Sequence, residues 1–366
     1  MKRIFCLAAI AICALLLSCA AADRTFGEGA WRTRVASADP SALRAAHEKD
    51  GRYFNPWMPM EDVGGFSRFL RWKFSPKGSY TAQERSHLPA VLPGTVGRIH
   101  SLPADQDFIL WIGHASFLIR IGAEIWLTDP MFSDRALLPK RRTPPALTAE
   151  DIRRLGAKRI NVVISHNHYD HLDTESLRAL PDGTRIFVPL GLKDFVSNLG
   201  KSEVVEMDWW QTIDCGSGVL LHCLPMQHWS RRICQGRNKT LWASFLIAAP
   251  ESTIYFGGDS GYFIGYREIG RMFPDIDYAL MPVTAYHPRW FMHYAHMNID
   301  EALDAFDDLR ARFFIPTQWG AFDLGDEPAG YPGLDLERTI KKRNVDPLRM
   351  LILDVGQIVP IEKKAK

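Results

Sequence analysis

The distribution of hydrophobic and polar residues along the chain predicts an alternation of buried strands and helices. Short apolar runs end repeatedly in polar clusters, which is typical of strands buried on both faces. These runs are Phe108–His114, Phe117–Ile121, Glu124–Pro130, Asn161–Ile164, Ile186–Leu190, Val219–Leu224, Leu241–Ala248, Thr253–Phe256 and a last strand, Met350–Val355. Capping residues and helical spacing predict a helix with Asp173 or Thr174 as its N-cap, a helix over Lys193–Leu199 and a helix near Leu336–Asn344. Because no repeat and no clean linker interrupts the pattern, it indicates one domain of the α/β (α+β) class.

The N-terminal residues 1–22 predict a targeting segment. A basic pair at residues 2–3 precedes an apolar run at 4–17 that is too short to span a bilayer stably. The residues that follow have the form of a bacterial lipoprotein box, in which Cys19 would be lipidated, but Ala20–Ala22 offers a competing signal-peptidase site. Both alternatives predict export to the periplasm, and the lipoprotein alternative adds an anchor in a membrane, expected to be the outer membrane.

Composition agrees with an exported globular enzyme and argues against a nucleic-acid partner. The 366 residues are 46% hydrophobic and 23% charged, with a net charge of +2 and no long basic run. Once residues 1–22 are set aside, Cys215, Cys223 and Cys234 remain, and their spacing describes neither a disulfide framework nor a thiolate zinc site. The sequence does not indicate an oligomeric state.

Residues 23–105 predict an N-terminal extension that packs on the domain formed by residues 106–366. Within it, Val63–Lys73 and the residue that follows place aromatic and aliphatic side chains near helical spacing, with cations between them. One interpretation is an interfacial element that presents its aromatic residues to lipid and its cations to phosphates. The other is a strap packed across the core, with cationic side chains on its outside. The apolar residues are Phe66, Phe69, Leu70 and Phe74, and the cations are Arg68, Arg71 and Lys73.

The strongest chemical signal is a cluster of ligand-type side chains directly after the strand Asn161–Ile164. His166, His168, Asp170 and His171 fall within six positions. In an extended or turning segment residues i and i+2 project to the same side, so His166 and His168 can close on one ion. Asp170 and His171 are then free to face a second ion. Zinc is held by such neutral imidazoles and carboxylates, at about 2.0–2.2 Å.

The pattern His-x-His-x-Asp-His after a hydrophobic strand is the signature of the metallo-β-lactamase superfamily. Aromatic blocks narrow the resemblance to the branch of the N-acyl-phosphatidylethanolamine-hydrolysing phospholipases D and their bacterial relatives. Among these blocks are G-R-Y-F-N-P-W at 51–57, W-I-G-H-A at 111–115, Q-H-W-S-R-R at 227–232, G-G-D-S-G-Y at 257–262 and A-Y-H-P-R-W-F-M at 285–292. The resemblance runs from about residue 51 to 324 and implies a metallo-β-lactamase αββα sandwich, with residues 106–366 as the catalytic domain.

Three further residues extend the predicted metal site. His228 lies just past the strand Val219–Leu224, as His166 does past its own strand, and is assigned as the third ligand of the first metal rather than a packed core histidine. Asp259 stands among glycines at a strand end, where a carboxylate can bridge two cations; a solvated turn is the alternative. By resemblance, Asp129 would buttress a metal-bound histidine.

One position departs from the family pattern. The resemblance implies a histidine before Trp-Gly in a late strand–loop, but here Gln318 stands in its place. Gln318 is predicted to complete the second site through its amide oxygen, which is a weaker and harder ligand than imidazole. We therefore expect one or two Zn²⁺ ions, with the second site loose, partly occupied or biased toward manganese, iron or magnesium.

The remaining assignments concern catalysis and substrate. Asp170 would orient the attacking water, and by resemblance His296 would contact the substrate phosphate and assist the departing alcohol. Tyr169, Trp290 and Phe291 would line the substrate site or, alternatively, pack within their loops.

The function implied by the resemblance is metal-dependent hydrolysis of a phosphodiester. The expected reaction is phospholipase D-type cleavage of an N-acyl-phosphatidylethanolamine or a related phospholipid of the cell envelope, which would be the partner of the site. Two alternatives stay open, because the same two-metal chemistry acts on other substrates. They are a broad-specificity metallo-hydrolase of small esters and lactones, and a non-catalytic envelope lipoprotein with a vestigial metal site.

Overall fold

The computed structural model of the protein describes residues 26–60 and 65–362. The predicted signal segment at 1–22 and its anchor Cys19 lie outside these residues. The described strands are β1 Glu48–Lys49, β2 Arg52–Tyr53, β3 Phe108–Gly113, β4 Ser116–Ile121, β5 Glu124–Thr128, β6 Arg159–Val163, β7 Arg185–Pro189, β8 Val204–Met207, β9 Thr212–Asp214, β10 Leu220–Leu224, β11 Arg231–Arg232, β12 Gly236–Arg237, β13 Ser244–Ala248, β14 Thr253–Phe256, β15 Tyr278–Pro282, β16 Phe313–Thr317 and β17 Ile358–Pro360.

The described helices are α1 Glu28–Ala36, α2 Gly65–Phe74, α3 Ala82–Ser86, α4 Thr95–His100, α5 Ala149–Arg154, α6 Thr174–Ala179, α7 Lys193–Ser197, α8 Gly265–Met272, α9 Arg289–Met292, α10 Ile299–Leu309 and α11 Tyr331–Arg343, with short 3₁₀ turns at Pro40–Arg44 and Pro347–Arg349. The predicted N-cap Asp173 accepts hydrogen bonds from the first turn of α6. Helix α11 begins at Tyr331, before the predicted Leu336, and has a proline in its first turn.

Two mixed sheets carry the fold. The first has seven strands in the order β17-β3-β4-β5-β6-β7-β8, antiparallel from β17 to β5 and parallel from β5 to β8. The second has six strands in the order β16-β15-β14-β13-β10-β9, parallel from β16 to β14 and antiparallel beyond. Both sheets contain strands that the apolar runs predict. Such runs form buried strands because they supply apolar side chains to both faces of a sheet.

Alternating side chains of the first sheet serve two different cores. Trp111 and Phe117 belong to the cluster shared with the second sheet, where Phe245 is fully buried. Leu110 and Leu118 belong to the cluster formed with helices α4 to α7. Helix α10 packs on β15 and on α8, at the outside of the second sheet. This layering confirms the predicted αββα sandwich.

Two predicted strands differ from the structure. Met350–Val355 is not a regular strand, so that prediction is wrong. Its backbone pairs at one end with Phe314 of β16 and at the other with Val91 of the N-terminal extension, and no single partner strand runs beside it. The last strand is instead β17, which adds to β3. The predicted strand at residues 241–248 begins only at Ser244, because the backbone before it bonds across to the first sheet's loops.

The N-terminal extension reaches the centre of the molecule. Trp57 donates from Nε1 to Gln227 Oε1 at 3.1 Å, and Asn55 donates from Nδ2 to the backbone oxygen of His228 at 3.0 Å. Helix α2 lies over the loop at 286–294, where Trp72 stacks on Phe291 with ring centroids 5.1 Å apart. Within the described residues, no helix combines the length and the apolar character needed to cross a bilayer.

Candidate metal centre

The ends of strands from both sheets meet at one edge of the sandwich and bring the ligand-type residues together. His166 to His171 follow β6, His228 follows β10 and Asp259 follows β14. His114 follows β3, and Gln318 follows β16. Because strand ends in a packed sandwich converge where the sheets meet, residues from distant parts of the chain share one small volume.

The first group of converging atoms comes from His166, His168, His228 and Asp259. His166 Nε2 lies 2.7 Å from His168 Nδ1, which lies 3.2 Å from His228 Nε2. Asp259 Oδ2 lies 3.7 Å from His166 Nε2 and 3.6 Å from His228 Nε2. Atoms bound to one zinc at about 2.0–2.2 Å stand about 3.3–3.6 Å apart in a tetrahedron. The three longer distances lie near this range, whereas the His166–His168 pair is closer than two bound nitrogens would be. The donor types, three imidazoles and a carboxylate, are those that zinc takes.

Hydrogen bonds to the opposite ring nitrogens orient these imidazoles. His228 Nδ1 donates to the backbone oxygen of Ala295 at 3.1 Å, and His166 Nδ1 lies 2.9 Å from Ser165 Oγ. A carbonyl oxygen only accepts, so Nδ1 of His228 carries the proton and Nε2 presents its lone pair to the centre. Such partners fix the tautomer that a metal requires.

The second group consists of His114, Asp170 and His171. Asp170 Oδ2 lies 3.1 Å from His114 Nε2 and 3.3 Å from His171 Nε2. His171 Nε2 also lies 3.2 Å from Asp259 Oδ1, so the two oxygens of Asp259 face the two groups. That is the arrangement expected of a bridging carboxylate.

Asp129 holds His171 in place. Its Oδ2 accepts from His171 Nδ1 at 2.6 Å and from Ser165 Oγ at 2.5 Å, while Oδ1 accepts from the Ser165 backbone at 2.7 Å. Asp129 thus occupies Nδ1 of His171. The other ring nitrogen, Nε2, is buried and has no hydrogen-bond partner among the described residues. This orphaned atom, aimed between two carboxylates, is the clearest sign that the pocket accepts a cation.

The electrostatics of the pocket suit metal binding. Burial, reinforced by neighbouring imidazoles, holds the pKa of His166 well below its ordinary value, and burial lowers the pKa of His168 to about 4. Burial raises the pKa of Asp259, but His171, His228 and His296 together outweigh it and keep that pKa well below the usual range. Burial lowers the pKa of His171, but Asp259, Asp170 and Asp129 outweigh it and hold that pKa well above its ordinary value. The pocket therefore favours a positive charge, while His166, His168 and His228 are neutral.

His296 lies beside the first group. Its ring centroid is 5.3 Å from that of His228, and Nδ1 is buried without a hydrogen-bond partner in the described part of the chain. Burial lowers the pKa of His296, so the ring is neutral near pH 7. Arg289 donates to its backbone oxygen at 3.0 Å and pairs with the buried carboxylate of Glu301 at 2.8 Å, which anchors the loop.

The aromatic residues that were predicted to line the substrate site make packing contacts. Tyr169 accepts from the Ile233 backbone at 3.1 Å and lies under the Arg232 guanidinium. Trp290 lies against Arg71 of α2, and Phe291 stacks on Trp72. These contacts favour the packed-loop alternative for their rings, and substrate lining stays a prediction for all three residues.

Gln318 lies beside the carboxylate of Asp259, and its role as a ligand through the amide oxygen stays a prediction. Its Nε2 donates to the backbone oxygen of Gly258 at 3.2 Å and also to Asp259 Oδ1. The amide therefore turns its donor end toward the centre. A metal needs an acceptor atom, so ligation by Gln318 would require the amide to turn its oxygen inward.

His114 ends the first predicted strand, and the sequence pattern assigns it no role. The available signal was a buried-strand end carrying a histidine in a chain that lacks the family's late histidine. The sequence could not place it, because His114 and Gln318 are 204 positions apart and meet only in the folded chain.

Comparison with known proteins agrees with the fold. A family model described as a β-lactamase superfamily domain matches residues 126–319. The chain is 34% identical over 271 residues to N-acyl-phosphatidylethanolamine-hydrolyzing phospholipase D 1 of Caenorhabditis elegans, a match that spans 66% of this chain and 75% of that relative. It is 45% identical over 100 residues to outer membrane protein RomA of Klebsiella pneumoniae, spanning 27% of this chain and 74% of that relative.

A solved metallo-hydrolase from the archaeon Ignicoccus hospitalis shares the fold, with a TM-score of 0.55 at 19% identity over 71% of this chain and 100% of its own. Fold and donor groups together define a metal-dependent hydrolase. The chain belongs to the metallo-β-lactamase superfamily, in the branch of the N-acyl-phosphatidylethanolamine-hydrolysing phospholipases D. The superfamily, the branch and the hydrolase class predicted from the motif are thereby confirmed.

Proposed function

We propose that this protein hydrolyses the phosphodiester of an N-acyl-phosphatidylethanolamine or a related phospholipid, in the manner of a phospholipase D. The observation that carries the proposal is its similarity to such a phospholipase over 75% of that relative, in a chain that keeps the paired donor groups. The class of reaction follows from the site, whereas the substrate rests on the similarity.

Zinc is the proposed ion, because the first group offers three neutral imidazoles and a carboxylate. Ions held by these residues would lower the pKa of bound water toward about 7 and neutralise charge on the phosphate. Asp170 would orient the attacking water. A P–O bond forms to the water oxygen and the P–O bond to the ethanolamine oxygen breaks, which leaves phosphatidic acid and an N-acylethanolamine.

His296 is proposed to carry the proton between these two oxygens. The neutral ring can accept a proton from the attacking water and deliver it to the departing alkoxide, so that the step balances without another acid. Its position beside His228 and its unpartnered Nδ1 support this role.

Helix α2 supports a lipid as the substrate. It exposes Phe74 by 75%, together with Phe69 and Leu70, while Trp72 packs on the loop that leads to His296. The Lys73 ammonium lies 5.6 Å from the centre of the Phe69 ring, so an aromatic ring and a cation share one surface. Such surfaces bind the boundary between headgroups and acyl chains, and α2 would place the site beside that boundary.

The envelope location is part of the same proposal. It is supported by the lipoprotein box around Cys19 and by the partial similarity to a protein whose name places it in the outer membrane. Labelling of the full chain with a radioactive fatty acid, in a Cys19→Ser variant and in wild type, tests it. Label in both chains or in neither would contradict the anchor.

The test of function uses zinc-loaded mature protein and vesicles containing N-acyl-phosphatidylethanolamine. We expect release of N-acylethanolamine and phosphatidic acid, detected by mass spectrometry, and its loss in His228→Ala. An acyl-homoserine lactone and a soluble phosphodiester serve as competing substrates. Turnover of the lactone with no turnover of the lipid would replace the proposal with the broad-specificity alternative.

A further inference from the structure

We propose that His114 is a ligand of the second metal ion and that Gln318 is a positioning residue for the bridging carboxylate of Asp259. The inference rests on the proposed metal-dependent function but concerns which side chains build the site. In this chain, a histidine from the β3–β4 turn would take the place of the family histidine that is missing at position 318.

The hydrogen bond at Nδ1 decides which ring nitrogen of His114 carries a proton. Its Nδ1 lies 3.2 Å from the backbone oxygen of Gln318, and a carbonyl oxygen can only accept. Nδ1 therefore carries a proton, and Nε2 is the ring nitrogen that is left to bind an ion. Nε2 points at Asp170 Oδ2, 3.1 Å away.

Nε2 of His114 lies close to a second imidazole and two carboxylates. His171, whose Nδ1 is committed to Asp129, also turns Nε2 toward Asp170 at 3.3 Å and toward Asp259 at 3.2 Å. Nε2 atoms of two rings and oxygens of two carboxylates thus face one point in a largely buried pocket. Two carboxylates can stand this close only with positive charge between them, which either a proton on His171 or a bound cation supplies.

Burial and contacts with neighbouring aromatic residues hold His114 in place. It is fully buried, its backbone oxygen accepts from Trp111 Nε1 at 2.8 Å, and Phe322 packs on its ring with centroids 5.2 Å apart. Its backbone has a φ of 55°, a left-handed conformation that residues other than glycine rarely adopt. Residues held in such conformations cluster at functional sites.

The contacts between His114 and Gln318 explain why position 318 can do without a histidine. The Gln318 backbone nitrogen donates to the His114 oxygen at 3.0 Å, so each residue is bonded to the other and both border the second group. Since one side chain already supplies the imidazole there, the other can serve Asp259. Gln318 donates to Asp259 Oδ1 and to the oxygen of Gly258, which holds the carboxylate toward both groups.

The experiment counts metal ions and needs no substrate. Wild type, His114→Ala, Gln318→Ala, the double variant His114→Ala/Gln318→His and the control His222→Ala, on strand β10, are stripped with chelator and reloaded with zinc. Desalted samples are then analysed by elemental mass spectrometry. We expect about two ions per chain in wild type, Gln318→Ala and His222→Ala, about one in His114→Ala, and a return to about two in the double variant.

Cobalt-loaded samples give a second readout, because visible absorption reports the number and type of ligands. We expect His114→Ala to lose the bands of one site and keep those of the other, which also shows that the variant is folded. Two ions in His114→Ala, or a loss confined to Gln318→Ala, would overturn the inference. A wild type that holds one ion would overturn it as well. If the counts are as expected but the lipid is not cleaved, only the proposed substrate fails.

Discussion

At the scale of single residues, the hydrogen bond on the far side of each imidazole decides what the near side can do. Ala295 holds His228, Asp129 holds His171, and the backbone of Gln318 holds His114, so that each presents Nε2 to the centre. His296 differs, because its Nδ1 is buried without such a partner among the described residues. A ring with an uncommitted nitrogen suits proton transfer better than ligation.

We predict that His296→Ala lowers kcat by roughly 10²–10⁴-fold on a lipid with an alcohol leaving group, because that group departs only with a proton. The loss should be much smaller on a p-nitrophenyl phosphodiester, whose leaving group needs no proton. Steady-state kinetics with both substrates, at unchanged zinc content, check this. The matched control is His293→Ala, whose ring packs on Phe26 and Trp31. Equal losses on both substrates would refute proton transfer by His296.

At the scale of elements, helix α2 and the loop at 286–294 form one unit. Arg68 donates to the backbone oxygen of Trp290 at 3.1 Å, and Trp72 donates to Asp326 at 2.8 Å. These contacts fit the strap interpretation of the sequence, and the exposed ring of Phe74 fits the interfacial one. The two interpretations describe opposite faces of the same helix, which periodicity alone could not reveal.

For α2 we predict that Phe69→Ser/Phe74→Ser weakens binding to phospholipid vesicles by roughly 10²–10⁴-fold, because each buried phenyl ring contributes about 1.5–3 kcal/mol and the variant removes two. Cosedimentation with vesicles measures the effect, and zinc content should stay the same. Leu348→Ser, at a side chain that is 80% exposed outside α2, is the matched control and should bind as wild type. Unchanged binding of the double variant would show that α2 does not meet the lipid.

A buried carboxylate, Glu327, binds the start of the same loop. Glu327 accepts from the backbone nitrogens of Tyr286 at 2.9 Å and His287 at 3.1 Å, and burial raises its pKa to about 7. Because the folded-state pKa lies above the unfolded value, the native chain binds more protons between the two pKa values. Its contribution to stability is therefore complete below about pH 4.5 and is lost as pH rises through 7.

We predict that wild type loses roughly 3 kcal/mol of unfolding free energy relative to Glu327→Gln between pH 4.5 and 8. Urea titrations across this range measure the difference, with the exposed Glu337→Gln as the control, whose curve should run parallel to that of wild type. Parallel curves for Glu327→Gln and wild type would show that Glu327 titrates normally.

At the scale of the whole molecule, the centre joins the two sheets. Ligand-type residues from β3, β6, β10 and β14 meet in one buried pocket, where Asp129, Asp170 and Asp259 bring three carboxylates close together. An ion there would neutralise charges that both halves of the sandwich contribute. Binding to the native state alone stabilises it by mass action.

Removal of metal should consequently destabilise the entire fold. At zinc concentrations about 1,000 times Kd we expect roughly 4 kcal/mol more unfolding free energy than in chelator. Denaturant titrations of zinc-loaded and stripped protein, followed by circular dichroism, measure it. Coincident curves would mean that the pocket holds no ion tightly. The His228→Ala variant should show a smaller difference than wild type, which ties the effect to this centre.

Local patterns in the chain predicted most of the strands and the αββα class, because buried runs and the residues that end them are properties of short segments. They also proposed the donor set from His166 to Asp259, and the family resemblance indicated that a histidine is missing at position 318. Only the tertiary structure brings His114 and Gln318 together, since they are distant in the chain and adjacent in space. It also decided that Gln318 turns its donor end inward and that Met350–Val355 bonds to two partners. The physical reason is that sequence specifies which groups are buried, whereas the long-range packing of the two sheets specifies which of their atoms meet.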